Sequence, residues 1–291
     1  MERCQRSSTL NLMEIGKASK TALGVAIRRA AHQLADQPPV LDDPIAVRLV
    51  GNEFSDKMRR AMHPVGRDAR AYMAVRSRYV EEQLAGFVAQ GGTQYVVLGA
   101  GLDTFAYRNP FPALRVFEAD LPASQKAKRR MLTKAGIAAP ESLTFATLDL
   151  EHHTLTEDLI LAGLDISRTV FFGWMGVAPY LTPEAFHSTL TAIAALPKGS
   201  GVGFDYTVDP ETLNAVGRTA FKRVAERVAA AGEPFQLFFT PEGMEAELRK
   251  AGFQRMEQLD YSQLNERYFR DREDGLKLSA VRLGMLAAAW V

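Results

Sequence analysis

Short apolar runs alternate with longer stretches of helical periodicity from residue 94 onward. Seven segments, most of them apolar, are predicted to form strands, at residues 94–98, 115–119, 143–148, 168–174, 201–207, 254–260 and 277–289. Most of them have the length of a buried strand, and the segments that separate them are long enough for crossover helices. This alternation predicts an α/β fold built on a doubly wound, mostly parallel sheet.

Helical patterning dominates the first part of the chain instead. Apolar side chains recur at helical spacing over residues 21–34 and again over residues 69–88. We therefore expect an N-terminal helical cap over residues 1–90, followed by a second domain over residues 91–291.

Two segments of the second domain are predicted to act as lids, about 211–240 and 261–276. An amphipathic helix is predicted over residues 211–231, and the segment 261–276 is rich in charged and aromatic residues. Doubly wound sheets bind ligands at the carboxyl ends of their strands. Segments that follow late strands can fold over that edge and exclude water from it.

The composition narrows the class of protein. The chain has 291 residues, of which 47% are hydrophobic, and a net charge of +1 at pH 7. No overall field favours nucleic acid or an anionic membrane surface, and no apolar run reaches the roughly 18 residues of a membrane span. The single cysteine, Cys4, cannot form an internal disulfide, which is typical of a reducing compartment. We expect a cytoplasmic protein that binds neither nucleic acid nor membrane, and its oligomeric state is left open.

The candidate chemistry starts at the end of the first predicted strand. Gly99-Ala100-Gly101 follows a run of apolar residues, and glycines there let the backbone pass close to a bound ligand. A dinucleotide-binding loop has a third glycine three residues later, under the pyrophosphate, but this chain has Thr104. The loop therefore favours a cofactor with an adenosine and no pyrophosphate. S-adenosyl-L-methionine (SAM) is the commonest such molecule.

Glu118 and Asp120 lie at the end of the second predicted strand. A carboxylate in this place can bind the ribose hydroxyls of a nucleotide-like cofactor. The two side chains share one face of the strand, because side chains alternate with a period of two. We expect Asp120 to bind the ribose and Glu118 to cap or pair nearby, and the reverse assignment stays open.

Five motifs occur in the order in which one family carries them: residues 75–79, 97–104, 117–122, 148–150 and 180–183. On these motifs the chain resembles the leucine carboxyl methyltransferase family of class I SAM-dependent methyltransferases, and in particular its bacterial branch of O-methyltransferases. The resemblance implies a Rossmann-like fold, SAM as the cofactor and methyl transfer to an oxygen atom.

The resemblance also implies a role for individual residues. Arg76, or Arg78 as its competitor, would pair with the methionyl carboxylate of SAM. Asp149 would accept a hydrogen bond from the adenine amine, and Leu150 would make a backbone contact with the adenine. The full set of expected cofactor-binding residues is Arg76, Gly99, Ala100, Gly101, Glu118, Asp120, Leu121, Asp149, Leu150 and Trp174.

The stretch after the fourth predicted strand departs from the family pattern. Many relatives carry a glutamate where this chain has Met175, so a polar contact near the cofactor or the acceptor is missing or replaced by apolar packing. Trp174, beside it, either lines the acceptor pocket or fills the core. Arg267 and Tyr268 are the expected catalytic residues that orient the acceptor, and they could also merely close the lid.

These expectations together describe a SAM-dependent O-methyltransferase that acts on a small-molecule carboxylate or an acidic hydroxyl. A carboxylate needs no general base, and no Lys–His or His–Asp pair occurs in the motifs. A non-catalytic SAM-binding protein and a nicotinamide-dependent oxidoreductase are the alternatives, and the missing third glycine argues against the second. His152-His153 has no further ligands at metal-binding spacing, so we expect a solvated loop and no metal.

Overall fold

The computed structural model describes residues 19–152, 154–279, 281 and 283–291. Cys4 and His153, which bear on the expected compartment and on the expected absence of a metal, lie outside the described residues. No helix of the described part is both long and apolar enough to cross a lipid bilayer.

Seven strands form a single sheet. The strands are β1 (Gln94–Leu98), β2 (Arg115–Asp120), β3 (Leu143–Thr147), β4 (Phe171–Trp174), β5 (Gly201–Thr207), β6 (Arg255–Leu259) and β7 (Gly284–Trp290). Their order is β3-β2-β1-β4-β5-β7-β6, and the first five strands in this order are parallel to one another. Strand β7 runs antiparallel between β5 and β6. The predicted doubly wound, mostly parallel sheet is confirmed, and its strand order reverses between β1 and β4.

Ten α-helices surround the sheet in the described part of the chain. They are α1 (Lys20–Ala35), α2 (Pro44–Val50), α3 (Ser55–Met62), α4 (Arg67–Ala89), α5 (Pro122–Lys134), α6 (Leu155–Leu161), α7 (Pro183–Ala194), α8 (Ala215–Ala230), α9 (Pro241–Ala251) and α10 (Tyr261–Tyr268). The N-termini of several of these helices carry the expected capping residues. The hydroxyl of Thr182, for example, accepts from the Ala185 N–H at 3.2 Å, with Pro183 in the first turn of α7.

Three apolar clusters divide the core between them. Alternate side chains of β1 enter the two clusters on either side of the sheet, Val96 on the side of α6, α7 and α9 and Val97 on the side of α4 and α10. Helices α1, α2, α3 and α5 form a third cluster, in which Ile27 and Leu132 pack. Helix α4, which belongs to the predicted cap 1–90, thus packs on the sheet itself, and the domain boundary at residue 90 stays a prediction.

The last strand begins later than predicted, at Gly284 rather than at residue 277. Its antiparallel partner β5 ends at Thr207, which pairs with Gly284. One further hydrogen bond, from the Val208 N–H to the Leu283 carbonyl at 3.2 Å, ends the ladder, and Val208 then forms a bridge with Phe239. Upstream, the side chain of Asn265 in α10 takes both backbone groups of Leu278, accepting from its N–H at 2.8 Å and donating to its carbonyl at 3.0 Å. An amide side chain has replaced a neighbouring strand there.

The helix predicted over 211–231 is also shorter, because α8 starts at Ala215. Asn214 is the N-cap, and its side-chain oxygen accepts from the Gly217 N–H at 2.8 Å. A separate 3₁₀ turn, Pro210–Thr212, precedes it and is capped by Asp209. The prediction had merged this turn with the helix.

Candidate active site

A cavity of about 740 Å³ opens at the carboxyl ends of β1 to β5. It lies where the strand order reverses, which is the usual ligand site of a doubly wound sheet. Helix α1 lines one side of it and α4 another. One face of α8 lines a third side through Phe221, Val224 and Val228, which follow helical spacing.

The glycine loop after β1 forms part of the cavity wall. Gly99 and Gly101 have φ values of +62° and +46°, a backbone region that L side chains rarely adopt. A Cβ added to Gly99 would lie 2.4 Å from Cγ2 of Val177, so the loops after β1 and β4 touch at this point. Glycine is therefore required at position 99 for both conformation and space.

Asp120 projects from the end of β2 into the cavity, half-buried. Its Oδ2 accepts from the Gly101 N–H at 2.6 Å and its Oδ1 from the Leu121 N–H at 2.7 Å. Burial raises the pKa of Asp120 above its ordinary value, although these two hydrogen bonds oppose the rise. Each carboxylate oxygen can accept a further hydrogen bond.

The end of β3 lies beside Asp120 and carries Asp149 and Leu150, which also line the cavity. The Leu148 N–H donates to the backbone carbonyl of Asp120 at 3.1 Å, which fixes the two strand ends together. An adenosine can therefore span from Asp120 to Asp149 along this edge. Gly99, Ala100, Gly101 and Leu121 complete this side of the cavity.

Glu118 is not among the residues that line the cavity. Its side chain is buried, and Oε2 lies 2.6 Å from Nζ of the buried Lys128 in α5. Burial raises the pKa of Glu118 to about 7, and the Lys128 ammonium opposes this rise. Asp120, and not Glu118, therefore has the geometry that a ribose ligand needs, and both assignments toward the cofactor stay predictions.

Arg76 reaches the cavity from α4, while Arg78 is exposed and does not line it. Arg76 Nη1 donates to Oδ2 of Asp205 at 3.0 Å. A Cβ added to Gly176, whose φ is +70°, would lie 3.0 Å from Arg76 Nη1, so this glycine makes room for the guanidinium. Burial and the guanidinium groups of Arg227 and Arg76 lower the pKa of Arg28, a second arginine of the cavity. Three guanidinium groups, those of Arg28, Arg76 and Arg227, thus face one region of the site.

Several residues of the cavity were missed by the sequence reasoning. Asp205, Tyr206 and Thr207 end β5, Tyr72 comes from α4, and Tyr180 and Phe235 come from loops. The signal for Asp205 was present, since it is a charged residue in an otherwise apolar strand and is only 5% exposed. Charges in such places are retained when they are paired or bind a ligand.

Trp174 was a predicted cofactor-binding residue, and the structure places it in the core instead. It is fully buried and stacks on Phe186 of α7, with ring centroids 5.4 Å apart. Side chains alternate along β4, so Gly173 faces the cavity and Trp174 faces the opposite side of the sheet. Met175 does line the cavity, as the sequence indicated.

Arg267 and Tyr268 were the predicted catalytic residues, and neither lines the cavity. Helix α10 starts at the cavity with Tyr261 but then runs back along β6, where Arg267 contacts Glu257 at 3.2 Å. The Tyr268 hydroxyl donates to Glu82 of α4 at 2.8 Å, and Arg267 pairs with the same carboxylate. The two side chains fasten α10 to α4, and the segment 261–276 contributes only its first residue to the site.

The family model described as leucine carboxyl methyltransferase matches residues 22–194, which is more than half of the chain. The chain belongs to the leucine carboxyl methyltransferase family. A Bacillus subtilis protein named "Putative S-adenosyl-L-methionine-dependent methyltransferase YktD" is 31% identical to this chain, over 91% of the chain and 95% of its own length. The chain is thus a SAM-dependent methyltransferase.

Solved structures agree with the fold of this leucine carboxyl methyltransferase family member. A DUF574 family protein from Streptomyces avermitilis has a TM-score of 0.57 at 16% identity, covering 94% of this chain and 97% of that one. A protein from Thermobifida fusca, described as a "putative methyltransferase", has a TM-score of 0.54 at 20% identity, with 95% and 96% covered. The expected Rossmann-like class I methyltransferase fold is confirmed.

The residues of the cavity fit SAM. The glycine loop forms part of the cavity wall, Asp120 and Asp149 offer acceptors for an adenosine, and Arg76 offers a cation for a carboxylate. SAM, when bound, supplies a methyl group that its sulfonium has already activated. The protein then has only to hold an acceptor atom in line and to exclude water. Within the part of the chain that the structure describes, no three metal-ligating side chains gather into a metal site.

Proposed function

We propose that this methyltransferase transfers the methyl group to an oxygen of a small, partly apolar acceptor, and that this oxygen belongs to a carboxylate or an acidic hydroxyl. The observation that carries the proposal is the chemistry of the cavity beyond the glycine loop. There the lining is largely aromatic and apolar, and no histidine occurs among the described lining residues. Its polar groups are protonated tyrosines and charged side chains, among them Asp68, Asp205, Arg227 and Glu233.

The aromatic lining comes from α8 and from the loops that pack against it. The rings of Tyr180 and Phe235 lie 5.3 Å apart, and those of Phe221 and Phe235 lie 6.2 Å apart. Such a wall favours an acceptor with an apolar or aromatic body. We infer that α8 and α1 cover the acceptor once it is bound.

The protonation states of the lining favour an acceptor that is already ionised. Burial raises the pKa of Tyr180 to about 12 and raises that of Tyr72 well above its ordinary value, so both are hydrogen-bond donors at neutral pH and not bases. Asp205 is engaged by Arg76, and Glu233 accepts from the Ser19 hydroxyl. A carboxylate acceptor needs none of these groups to remove a proton.

Family membership leaves the nicotinamide-dependent alternative without support. A non-catalytic SAM-binding protein would have no use for an open acceptor compartment lined in this way. We expect the enzyme to work in the cytoplasm on a free small molecule, without a nucleic acid or a membrane as partner.

A screen of small carboxylic acids, phenols and alcohols with methyl-labelled SAM tests the proposal. We expect a product whose label is released by mild alkali, as from a methyl ester, and a pH–rate profile that is flat above about pH 6. A rate that rises toward about pH 8–9 would point to a hydroxyl acceptor. Label found only on nitrogen, or only on the C-terminus of a protein, would overturn the proposal.

A further inference from the structure

We propose that Asp205 binds the α-ammonium group of the methionyl end of SAM, so that Arg76 and Asp205 together form a receptor for an amino-acid zwitterion. No family motif among those that identify this chain includes Asp205. The inference concerns the cofactor and stands independently of the acceptor proposed above.

Opposite charges lie close together at one end of the cavity. The methionyl end of the cofactor carries an anion and a cation on the same carbon atom, so a complementary site must present both charges within a few ångströms. Arg76 Nη1 and Asp205 Oδ2 lie 3.0 Å apart, and both residues line the cavity. Arg28 adds a second guanidinium for the carboxylate.

The carboxylate of Asp205 also has hydrogen-bonding capacity that the protein does not use. An ionised carboxylate has about four acceptor positions. In the structure Oδ2 accepts from Arg76 and Oδ1 accepts from the Gly176 N–H. The carboxylate is therefore held firmly by two donors, on α4 and on the loop after β4, and still has capacity for an ammonium group.

The register of the sheet places Asp205 beside position 175. Trp174 of β4 pairs with Phe204 of β5, so residues 175 and 205 follow side by side at the carboxyl edge. Position 175 is apolar in this chain, and Asp205 supplies a carboxylate one strand away. Both residues line the cavity.

The test compares three ligands by calorimetry: S-adenosylhomocysteine, its analogue without the amino group, and its analogue without the carboxylate. Asp205→Asn keeps an oxygen for the Gly176 N–H and removes the charge. We expect this variant to bind S-adenosylhomocysteine about 10- to 100-fold more weakly, as the loss of a charge-assisted hydrogen bond predicts. The analogue without the amino group should bind the variant and the unmodified protein equally.

Asp68→Asn is the matched control, because Asp68 is another carboxylate of the cavity but accepts from the N–H and the hydroxyl of Ser279. Asp68→Asn should change the affinity for S-adenosylhomocysteine and the affinity for the amino-free analogue by the same factor. If Asp205→Asn weakens the amino-free analogue as much as S-adenosylhomocysteine and spares the carboxylate-free one, Asp205 merely positions Arg76 and the proposal is wrong. Equal weakening of all three ligands would assign Asp205 to structure and overturn it as well.

If Asp205→Asn does not fold, the affinities of the unmodified protein provide a second measurement. It should bind S-adenosylhomocysteine at least 10-fold more tightly than the amino-free analogue, and Asp205→Ser should remove that preference. No preference in the unmodified protein would contradict the proposal without a variant. Methyl transfer to any acceptor is not needed for either measurement, so their outcome is separate from that of the acceptor screen.

Discussion

Two carboxylates at the end of β2 lie two positions apart and have different surroundings. Asp120 faces the cavity, while Glu118 is buried against Lys128. We predict that Asp120→Ala weakens S-adenosylhomocysteine binding about 10- to 100-fold with little change in stability. Glu118→Gln should instead destabilise the fold by about 3–5 kcal/mol, because it leaves a buried ammonium unpaired.

Calorimetry and urea denaturation of both variants check this pair. An affinity loss for Glu118→Gln that equals the loss for Asp120→Ala, at unchanged stability, would exchange the two assignments.

The two arginines of α4 provide a second contrast between single residues. We predict that Arg76→Ala weakens S-adenosylhomocysteine much more than 5′-methylthioadenosine, which lacks the amino-acid end. Arg78→Ala, at an exposed position of the same helix, should leave both affinities unchanged. Competition binding with the two ligands measures the difference. An equal loss of both affinities in Arg76→Ala would mean that this residue only supports the structure.

Part of the cavity could be predicted from the motifs, although Glu118 of the motif 117–122 does not line it and Tyr180 of the motif 180–183 was missed. Arg76, Asp120 and Asp149 all line the cavity as expected. The prediction that Trp174 binds the cofactor was wrong. Strand β4 is buried on both faces, and an apolar run does not tell which alternate side chains face a ligand. Asp205 was missed because its partner Arg76 lies far away in the chain, and only the fold brings the two together.

At the scale of elements, α8 presents one apolar face to the cavity and a polar face to solvent. We predict that Phe221→Ala raises the Michaelis constant of the acceptor severalfold without changing SAM affinity, because it removes part of the aromatic wall. Lys222→Ala is the control on the same helix, since its side chain is 78% exposed. Steady-state kinetics with the acceptor from the screen would measure both. A change in SAM affinity in Phe221→Ala would place this helix on the cofactor instead.

Arg267 and Tyr268 of helix α10 were predicted to act in catalysis, and their contacts indicate instead that they stabilise the fold. Burial opposes ionisation of Glu82, but hydrogen bonds from Arg267 and Tyr268 outweigh it and lower the pKa of Glu82. We predict that Arg267→Ala costs at most about 1 kcal/mol, the usual range for partly exposed pairs, and leaves turnover unchanged. Urea denaturation and initial rates check both points. A large fall in turnover at unchanged stability would restore Arg267 to the active site.

The elements themselves could be predicted more readily than their ends. All seven strands could be placed, the central parallel ones because a strand buried on both faces needs a nearly continuous apolar sequence. The start of β7 could not be predicted, since it depends on the length of β5 and on the Asn265 side chain, which binds Leu278 in place of a strand. These are tertiary contacts that no local pattern records.

At the scale of the whole molecule, a buried ion pair ties the N-terminal helices to the body. Asp36, which ends α1, accepts from Arg70 of α4 at 2.8 Å and 3.0 Å and lies 2.9 Å from Nδ1 of His32. Although burial opposes ionisation, the hydrogen bonds from His32 and Arg70 lower the pKa of Asp36 to about 2 from 3.8. A lowered carboxyl pKa stabilises the fold above the unfolded-state value, and this contribution is lost as the pH falls toward 2.

We therefore predict that stability falls by roughly 2 kcal/mol from this group between about pH 4 and pH 2. Asp36→Asn should be less stable at neutral pH, because it leaves Arg70 without its anion, and should lose that part of the pH dependence. Urea midpoints of both proteins between about pH 2 and pH 7 measure it. Parallel curves for the two proteins would show that Asp36 does not couple folding to protons.

The close approach of Gly99 and Val177 also limits how the sequence of this protein can change in evolution. A methyl group on residue 99 would collide with the side chain of residue 177, which belongs to a loop far along the chain. Changes at the two positions are therefore not independent, and the effect of one depends on which residue already occupies the other. A lineage that first trims position 177 relieves the collision and leaves only the strain of the positive φ at residue 99, whereas one that first alters position 99 meets both at once. The order of mutations, and not only their identity, decides which later sequences this fold can reach.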